Sequence, residues 1–412
     1  MPPDNRYSRR DFVRRGTLGA VGAGLVVRAL GQEVLAAPRI EKRGDMVYRR
    51  LGRTNLMVSE LSIGGSPSPD PAIFTEALDR GMNFVDSSAG YANGEERIGE
   101  VTEGRRDSVI ISTKCHPYRM ADPTAGIIAA CETALGKLKT DHIDVWCIHG
   151  VSGPEWFLRE DIQAAFDQLK QQGKIRFTGV SCHTDPVRVL IPLFESGKLD
   201  VAIMAFSVFS GNTVKPEDVK AGKVYDNWLA DSGLQSVLDS AKQHDAGLVA
   251  MKTMAGGALQ KPDAYQADGS TLAQAKIKWV LSQDAVATAL SEVLSYEILD
   301  ENLGAVGKTL TPADQAMLRD HIREQSASVC RMCGACQRAC PAKLPIPDLL
   351  RCVTYRDLHR KPAYARQVYR EITTTGPLPA CGNCTACAQA CPHGLAGPGR
   401  VGEARGMLAS IC

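Results

Sequence analysis

The sequence predicts an α/β protein: a (β/α)8 barrel of parallel strands followed by a smaller, mainly α-helical domain. Three observations carry this reading. Eight short apolar runs alternate with helix-patterned segments between residues 60 and 306. Each run is apolar throughout rather than alternating in polarity, as strands buried on both faces must be. Nine of the 14 cysteines lie between Cys330 and Cys391, so a cysteine-poor body precedes a cysteine-dense end.

The chain has 412 residues, more than one ordinary domain of about 100–200 residues. It carries 48 Lys and Arg against 46 Asp and Glu, a net charge of +2. That balance gives no reason to expect nucleic acid or an anionic membrane as partner. A hydrophobic fraction of 44% supplies a large core.

Residues 1–37 read as a segment outside the fold. Ser8-Arg9-Arg10-Asp11-Phe12 is a twin-arginine pattern, the stretch from Gly16 to Val27 is weakly apolar, and Ala36-Ala37 precede Pro38. A charged head, an apolar middle and a small-residue end form an export signal of the Tat type, with cleavage expected after Ala36. The expected location is the periplasm or cell envelope. The apolar stretch falls short of the ~20 residues that span a bilayer, and no later segment reads as a transmembrane helix.

The strand-like runs are Leu61–Gly64, Asn83–Asp86, Val109–Thr113, Ile143–His149, Ile175–Val180, Val201–Phe206, Gly247–Lys252 and Val286–Leu290. Between them Ile128, Cys131, Leu135 and Leu138 step by three and four, as do Ile162, Ala165, Phe166 and Leu169, and again Leu234, Val237, Leu238 and Ala241. That spacing lines one face of a helix. Eight such units in a row argue for a (β/α)8, or TIM, barrel. A doubly wound sheet is the alternative, but no Gly-x-Gly-x-x-Gly follows the first strand. Tyr48–Ser59 contains a turn signal and is expected to form a small hairpin closing the barrel floor. Residues 207–232 form a long connection after the sixth strand, a place where binding loops occur.

Barrels of this type place chemistry at the C-terminal ends of their strands. Those ends carry Asp86, Lys114, His149, Ser181, Ser207 and Lys252, each directly after an apolar run. Singly, any of them reads as a surface group or a structural ion pair; six in phase read as a site.

These residues sit in motifs that resemble a known family. Asn83-Phe-Val-Asp86-Ser-Ser-Ala-Gly-Tyr91-Ala-Asn-Gly-Glu95 resembles the aldo-keto reductase signature. Ile111-Ser-Thr-Lys114, Ile143-Asp-Val-Trp-Cys-Ile-His149 and Lys174-Ile-Arg-Phe-Thr-Gly-Val-Ser181 resemble the next blocks in order. The resemblance covers residues 46–325. It implies a catalytic tetrad of Asp86, Tyr91, Lys114 and His149. Tyr91 would be the proton donor to a carbonyl oxygen. Its phenol, with a reference pKa of about 10, needs a neighbouring cation to exchange protons near neutrality. Lys114 would supply that cation, Asp86 would hold it, and His149 would orient the carbonyl.

The resemblance also implies NAD or NADP at the same mouth, with Ser181, Ser207, Lys252, Met254, Gly256, Glu301 and Asn302 as its contacts. The sequence departs from the family there. Cys182 replaces the usual Asn, Ile203 the usual Gln, and Thr253 a common Pro, while Glu292 and Leu294 stand where a Gly and a Ser or Arg are usual. The loss of a cation for a 2′-phosphate leaves the choice between NAD and NADP open.

Cys330-x2-Cys333-x2-Cys336-x3-Cys340-Pro341 is followed by Cys381-x2-Cys384-x2-Cys387-x3-Cys391-Pro392. This is the spacing of two-cluster ferredoxins, in which the fourth Cys of each run ligates the other cluster. The expected sets are Cys330, Cys333, Cys336 and Cys391 for one 4Fe–4S cluster and Cys381, Cys384, Cys387 and Cys340 for the other. Zinc favours paired rather than four-cysteine runs, and disulfides suit an oxidising compartment but not such tight runs. Ile346-Pro347-Asp348 reads as a helix start with Leu349 and Val353 on one face, and a second helix is expected after Pro362. Residues 326–412 thus resemble an α-helical ferredoxin-like domain fused to a reductase. After Pro392, His393-Gly394 and a Gly/Pro-rich tail stand where the first run has its helix start.

Together these readings imply an exported iron–sulfur oxidoreductase that reduces a small-molecule carbonyl or oxidises an alcohol. Its clusters would relay electrons to a redox partner protein. Nicotinamides move two electrons as hydride whereas each cluster moves one, and the sequence shows no flavin motif to couple them. The alternative is an exported electron-transfer protein whose barrel no longer performs nicotinamide-dependent hydride transfer.

Overall fold

In the computed structural model, eight parallel strands close into a barrel in chain order: Leu61–Gly64, Phe84–Asp86, Ile110–Cys115, Ile143–Ile148, Ile175–Cys182, Val201–Ala205, Gly247–Met251 and Val286–Ser291. The structure describes residues 40–117, 120–210, 229, 232–254, 266–267, 269–358, 360–373, 378–379, 381 and 384–409. The export signal expected over residues 1–37, most of the long connection after the sixth strand, and Gly256 lie outside the described residues.

All eight sequence runs are barrel strands, with ends shifted by at most two residues. Pairing between neighbours is parallel all round the ring. The floor is closed by a three-stranded antiparallel sheet, Ile40–Arg43, Met46–Arg50 and Met57–Ser59, one strand more than the expected hairpin. Leu51, Leu56 and Val58 pack from it against Phe84, Ile110, Val145, Val201 and Val249 inside the ring. Gly52 adopts a left-handed φ of 50°, and a Cβ there would fall 2.3 Å from the Gly247 nitrogen. Only glycine lets the plug approach the seventh strand so closely.

Helices pack outside the ring with their apolar faces inward. Ile162, Ala165, Phe166 and Leu169 are buried on Glu160–Gln171, and Leu234, Val237, Leu238 and Ala241 on Leu234–Gln243, as their spacing predicts. On Pro123–Leu138 the buried residues are Ile127, Cys131, Ala134 and Leu138. The expected Ile128 and Leu135 are only half-buried beside it. Adjacent apolar pairs at 127–128 and 134–135 make two registers of that stripe equally periodic, and packing selects the one containing the small Ala134.

The C-terminal region is a helical repeat built on the cysteine runs. Cys336 and Cys387 are each the second residue of a five-residue helix, Ala335–Ala339 and Ala386–Ala390, and Cys340 and Cys391 follow as C-caps. These two short helices pack together. Ile346–Asp357 and Pro362–Thr373 form the two helices expected between the runs. The tail after the second run also turns helical, at Pro398–Ala409, so the Gly/Pro-rich stretch delays the equivalent helix rather than abolishing it. Leu344, Ile346, Leu349, Leu350, Val353, Val401 and Ala404 form this region's own core, with cysteines at its edge. Among the described residues no helix is long and apolar enough to cross a membrane.

This helical region rests on the catalytic rim of the barrel. The Asp185 N–H donates to the Met332 carbonyl at 3.0 Å, and Arg338 pairs with Asp185. Lys361 pairs with Glu292 at 2.8 Å, and Tyr364 Oη lies 3.2 Å from Ser66 Oγ. Each barrel partner lies just beyond the C-terminal end of its strand.

Candidate active site

Parallel register collects the site. Gly64 pairs with Asp86, Asp86 with Ser112, Lys114 with Cys147 and Cys115 with Ile148. The residues ending the second, third and fourth strands therefore reach one rim. Lys114 Nζ donates to Asp86 Oδ2 at 2.6 Å and to the Ser87 carbonyl at 2.5 Å. The Ser112 hydroxyl donates to the other Asp86 oxygen at 2.9 Å. Lys114 is 1% and Asp86 5% exposed, so the charges are desolvated and depend on each other and on these hydrogen bonds.

The Lys114 ammonium lies 5.4 Å from the centre of the Tyr91 ring. The His149 ring meets that of Tyr91 edge-on at 5.7 Å, and Ser88 Oγ lies 2.9 Å from His149 Nδ1. Burial, reinforced by the nearby His116 ring and the Lys114 and Lys252 charges, holds the His149 pKa well below 6.5. His149 is thus a neutral imidazole at neutral pH, able to donate one hydrogen bond and accept another. All four residues of the expected tetrad come together at this rim.

Two further histidines join them. His116 stacks on His149 at 4.2 Å with a 20° interplanar angle, and His183 lies 5.7 Å from it. Sequence reasoning passed over both. Each directly follows a barrel strand, Ile110–Cys115 or Ile175–Cys182, the same kind of position that singled out Asp86, Lys114 and His149.

A cavity opens beside the tetrad, lined by Asp86 and Tyr91 and extending past Ser207, Lys252, Met254 and Ser291 to Glu292. The C-terminal region roofs it with Cys330, Met332, Arg351, Tyr355, Lys361 and Tyr364. No sequence signal marks Arg351, Tyr355 or Tyr364 as site residues, because they lie on helices whose relation to the barrel only the fold reveals. Burial raises the Tyr355 phenol, but the charges of Lys252 and Arg351 outweigh it and bring the pKa below 10.

Seven of the eight motif cysteines have neighbours that crossed ligation would require. Cys330, Cys333 and Cys336 each feel the field of Cys391 from the far run. Cys387 feels Cys381 and, from the near run, Cys340. Cys384 is exposed. Burial pushes the Cys330 and Cys336 thiols up to about 12, so a bound cation is what would make thiolates of them. This donor set fits iron–sulfur cubanes. Among the described residues no three His, Cys, Asp or Glu side chains are spaced to share a single metal ion; a cubane takes its thiolates at separate corners.

Residues 67–270 match the aldo/keto reductase family, and residues 322–392 match the 4Fe-4S dicluster domain. The barrel is an aldo/keto reductase domain. With the dicluster domain behind it, the chain is an oxidoreductase. It is similar to an uncharacterized oxidoreductase of Bacillus subtilis, YqkF, with 27% identity over 308 residues, 68% of this chain and 97% of the relative. It is also similar to L-glyceraldehyde 3-phosphate reductase of Escherichia coli, with 22% identity over 346 residues, 69% of this chain and 94% of the relative. Among solved structures, the holo form of an aldo-keto reductase from Bacillus halodurans superposes with a TM-score of 0.52 at 22% identity, over 66% of this chain and 95% of that one. A Klebsiella pneumoniae aldo-keto reductase in complex with NADPH gives 0.51 at 21% identity, over 66% and 93%.

Within the aldo/keto reductase domain, the expected nicotinamide contacts divide. Ser207, Lys252 and Met254 line the cavity. Ser181 does not: it is fully buried, and its hydroxyl accepts the Gly150 N–H at 2.8 Å. Asn302 is buried and donates to Ser291 Oγ at 2.7 Å, while the carbonyl of Glu301 accepts from Gln274. Ile203 points into the barrel core, and Cys182 is buried with its thiol pushed up to about 12. Glu292 is closed off by Lys361. Three of the expected contacts thus line the cavity, while the Ser181 and Asn302 side chains are hydrogen-bonded within the barrel.

Proposed function

We propose that the protein is an exported iron–sulfur oxidoreductase that interconverts a small-molecule carbonyl and its alcohol at Tyr91. In this reading two 4Fe–4S clusters in the C-terminal domain carry the electrons to or from a redox partner. One observation carries it: Tyr91 and Cys330, a cluster thiol, line the same cavity. Each bound cluster would supply one-electron redox chemistry at that wall.

Reducing a carbonyl to an alcohol takes two electrons, which the clusters would supply, and two protons, one ending on oxygen and one, drawn from solvent, on carbon. Tyr91 gives a proton to the carbonyl oxygen, and the nearby Lys114 cation stabilises the phenolate that remains. Asp86 keeps Lys114 charged and fixed. Neutral His149, braced by Ser88, donates a hydrogen bond to the same oxygen as charge develops there.

A second reading gives the electrons to NADP or NAD as hydride donor. It is favoured by Ser207, Lys252 and Met254 on the cavity wall and by the NADPH complex of a similar barrel. Export rests on the twin-arginine pattern at Arg9-Arg10. It agrees with the cofactor chemistry, because clusters inserted in the cytoplasm require export of a folded chain.

The test is anaerobic and uses the purified protein with its clusters. A panel of carbonyl compounds is offered to dithionite-reduced protein without nucleotide, and separately to oxidised protein with NADPH or NADH. Cluster reoxidation with alcohol formation supports the first reading. Nucleotide oxidation with static clusters supports the second, and neither response with any carbonyl refutes both.

A further inference from the structure

The cavity holds more positive charge than its own carboxylates balance. Lys252 ends the seventh strand in a left-handed conformation, with φ of 58°, which a lysine adopts only when its surroundings enforce it. Its side chain lines the cavity, and its ammonium has no hydrogen bond or ion pair among the described residues. Burial lowers its pKa from 10.5, and the Arg351 and Lys114 charges lower it further against the pull of Tyr355 and Asp348.

Arg351 faces the same space from the roof helix Ile346–Asp357. Its Nη2 donates to Asp348 at 2.6 Å and its Nη1 to Tyr355 Oη at 3.3 Å. Among the described residues its buried Nε has no hydrogen-bond partner. A guanidinium donor shut away from water is costly to leave unmade, so this one points to a missing acceptor. The remaining cation, Lys361, is taken by Glu292. Apart from the Asp86–Lys114 pair, the described residues place three cations, Lys252, Arg351 and Lys361, around this space against two carboxylates, Asp348 and Glu292.

We propose that Lys252 of the barrel and Arg351 of the cluster domain form a joint clamp for an oxyanion group on the substrate. Resting on the carbonyl–alcohol reading above, this makes the compound turned over at Tyr91 an anionic one, carrying a carboxylate or a phosphate. Lys252 contributes a point charge, and Arg351 contributes an oriented donor already positioned by Asp348 and Tyr355.

The experiment is a binding titration on the cluster-loaded protein, so it does not require turnover. The carboxylate arm uses pyruvate and lactate, the phosphate arm inorganic phosphate and glycerol phosphate, and a third arm NADPH. Isothermal calorimetry reads affinity, and visible absorption confirms the clusters in every variant. Saturable binding in the carboxylate or the phosphate arm, weakened at least tenfold by Lys252→Met and by Arg351→Met and partly restored by Arg351→Lys, supports the clamp and tells the two anions apart. No saturable binding in either arm overturns it, as does binding that neither substitution changes. NADPH binding that depends on Lys252 while both small-anion arms stay silent also overturns it, because the charge then serves the dinucleotide. If Tyr91→Phe leaves turnover intact while the clamp titration succeeds, the carbonyl–alcohol reading fails and the anion site stands.

Discussion

Replacing Asp86 with Asn tests whether the carboxylate exists to hold Lys114. The substitution keeps the side-chain shape and can retain the contact with Ser112, but it removes the charge 2.6 Å from the ammonium. Lys114 is 1% exposed, so water cannot take over. Leaving one partner of a buried pair uncompensated costs about 3–5 kcal/mol. That is a large part of a typical folding stability of about 5–15 kcal/mol. For a domain of this size about 1 kcal/mol moves the melting temperature by roughly 2–4 °C, so Asp86→Asn should melt roughly 6–20 °C lower. Lys114→Met should cost less, because Asp86 keeps the Ser112 hydroxyl at 2.9 Å. The double variant removes both charges and should recover much of the loss, giving a coupling of about 2–3 kcal/mol. Near-UV circular dichroism reports the melt, with Trp146 as a probe: it is fully buried and pairs with Thr113 on the neighbouring strand. All three variants should lose carbonyl turnover. Destabilisations that simply add, or an Asp86→Asn protein melting within 2 °C of the parent, would refute the pairing argument.

Four further outcomes are expected. Tyr91→Phe should abolish carbonyl reduction while iron and sulfide content stay unchanged, and retained turnover would remove Tyr91 as proton donor. Cys391→Ser should alter the electron paramagnetic resonance signal of the cluster on Cys330, Cys333 and Cys336, and Cys340→Ser that of the other; an effect confined to the substituted residue's own run would contradict the crossed ligation. Since burial and neighbouring charges keep His149 neutral, the pH–rate profile should show no His149 step near 6.5, and a step there that His149→Gln removes would contradict that neutrality. Lys276, buried on Leu272–Leu281, has its pKa lowered by burial from 10.5 to about 7. Because the folded value lies below the unfolded one, the unfolded chain binds more protons between those limits, and stability rises with pH across that window. Lys276→Met should therefore stabilise the protein at pH 7 by a few kcal/mol, at most about 5 from about 1.36 kcal/mol per pKa unit. The advantage should shrink towards pH 10 in thermal melts, and a constant one would mean that Lys276 is not held neutral by its burial.

The barrel was legible because a parallel strand covered on both faces has no room for alternation. Val201–Ala205 and Gly247–Met251 are buried at every position, so their sequences are plain apolar runs. Asp86, Lys114 and His149 were legible for a related reason: a polar residue ending such a run has to be accommodated at the rim; Tyr91, five residues beyond its strand, was legible only from the family motif. The same rule would have found His116 and His183. The rim of the second domain was not legible. On Ile346–Asp357 the apolar residues Leu349, Leu350 and Val353 pack into that domain's own core, while Arg351 and Tyr355 turn to the barrel cavity. In sequence the Arg351 and Tyr355 face is indistinguishable from one turned to solvent. Residues that bind across a domain boundary carry no periodicity of their own, and the helical stripe of Pro123–Leu138 shows that even periodicity leaves a choice that packing must make.

The placement of the dicluster domain bears on the mismatch between one-electron clusters and a two-electron reaction. Electrons from a distant domain would need a separate converter in the barrel. Here Cys330, an expected cluster ligand, forms part of the wall that also contains Tyr91, so under the first reading a cluster held there would need no intermediate carrier. Two reduced clusters together hold the two electrons that one carbonyl reduction consumes. The Ser181 and Asn302 side chains, which the family uses towards the dinucleotide, are bonded within the protein instead. Glu292, at the far end of the cavity, is paired with Lys361 from the cluster domain, so the contacts that hold Cys330 at this rim also engage the barrel at that end.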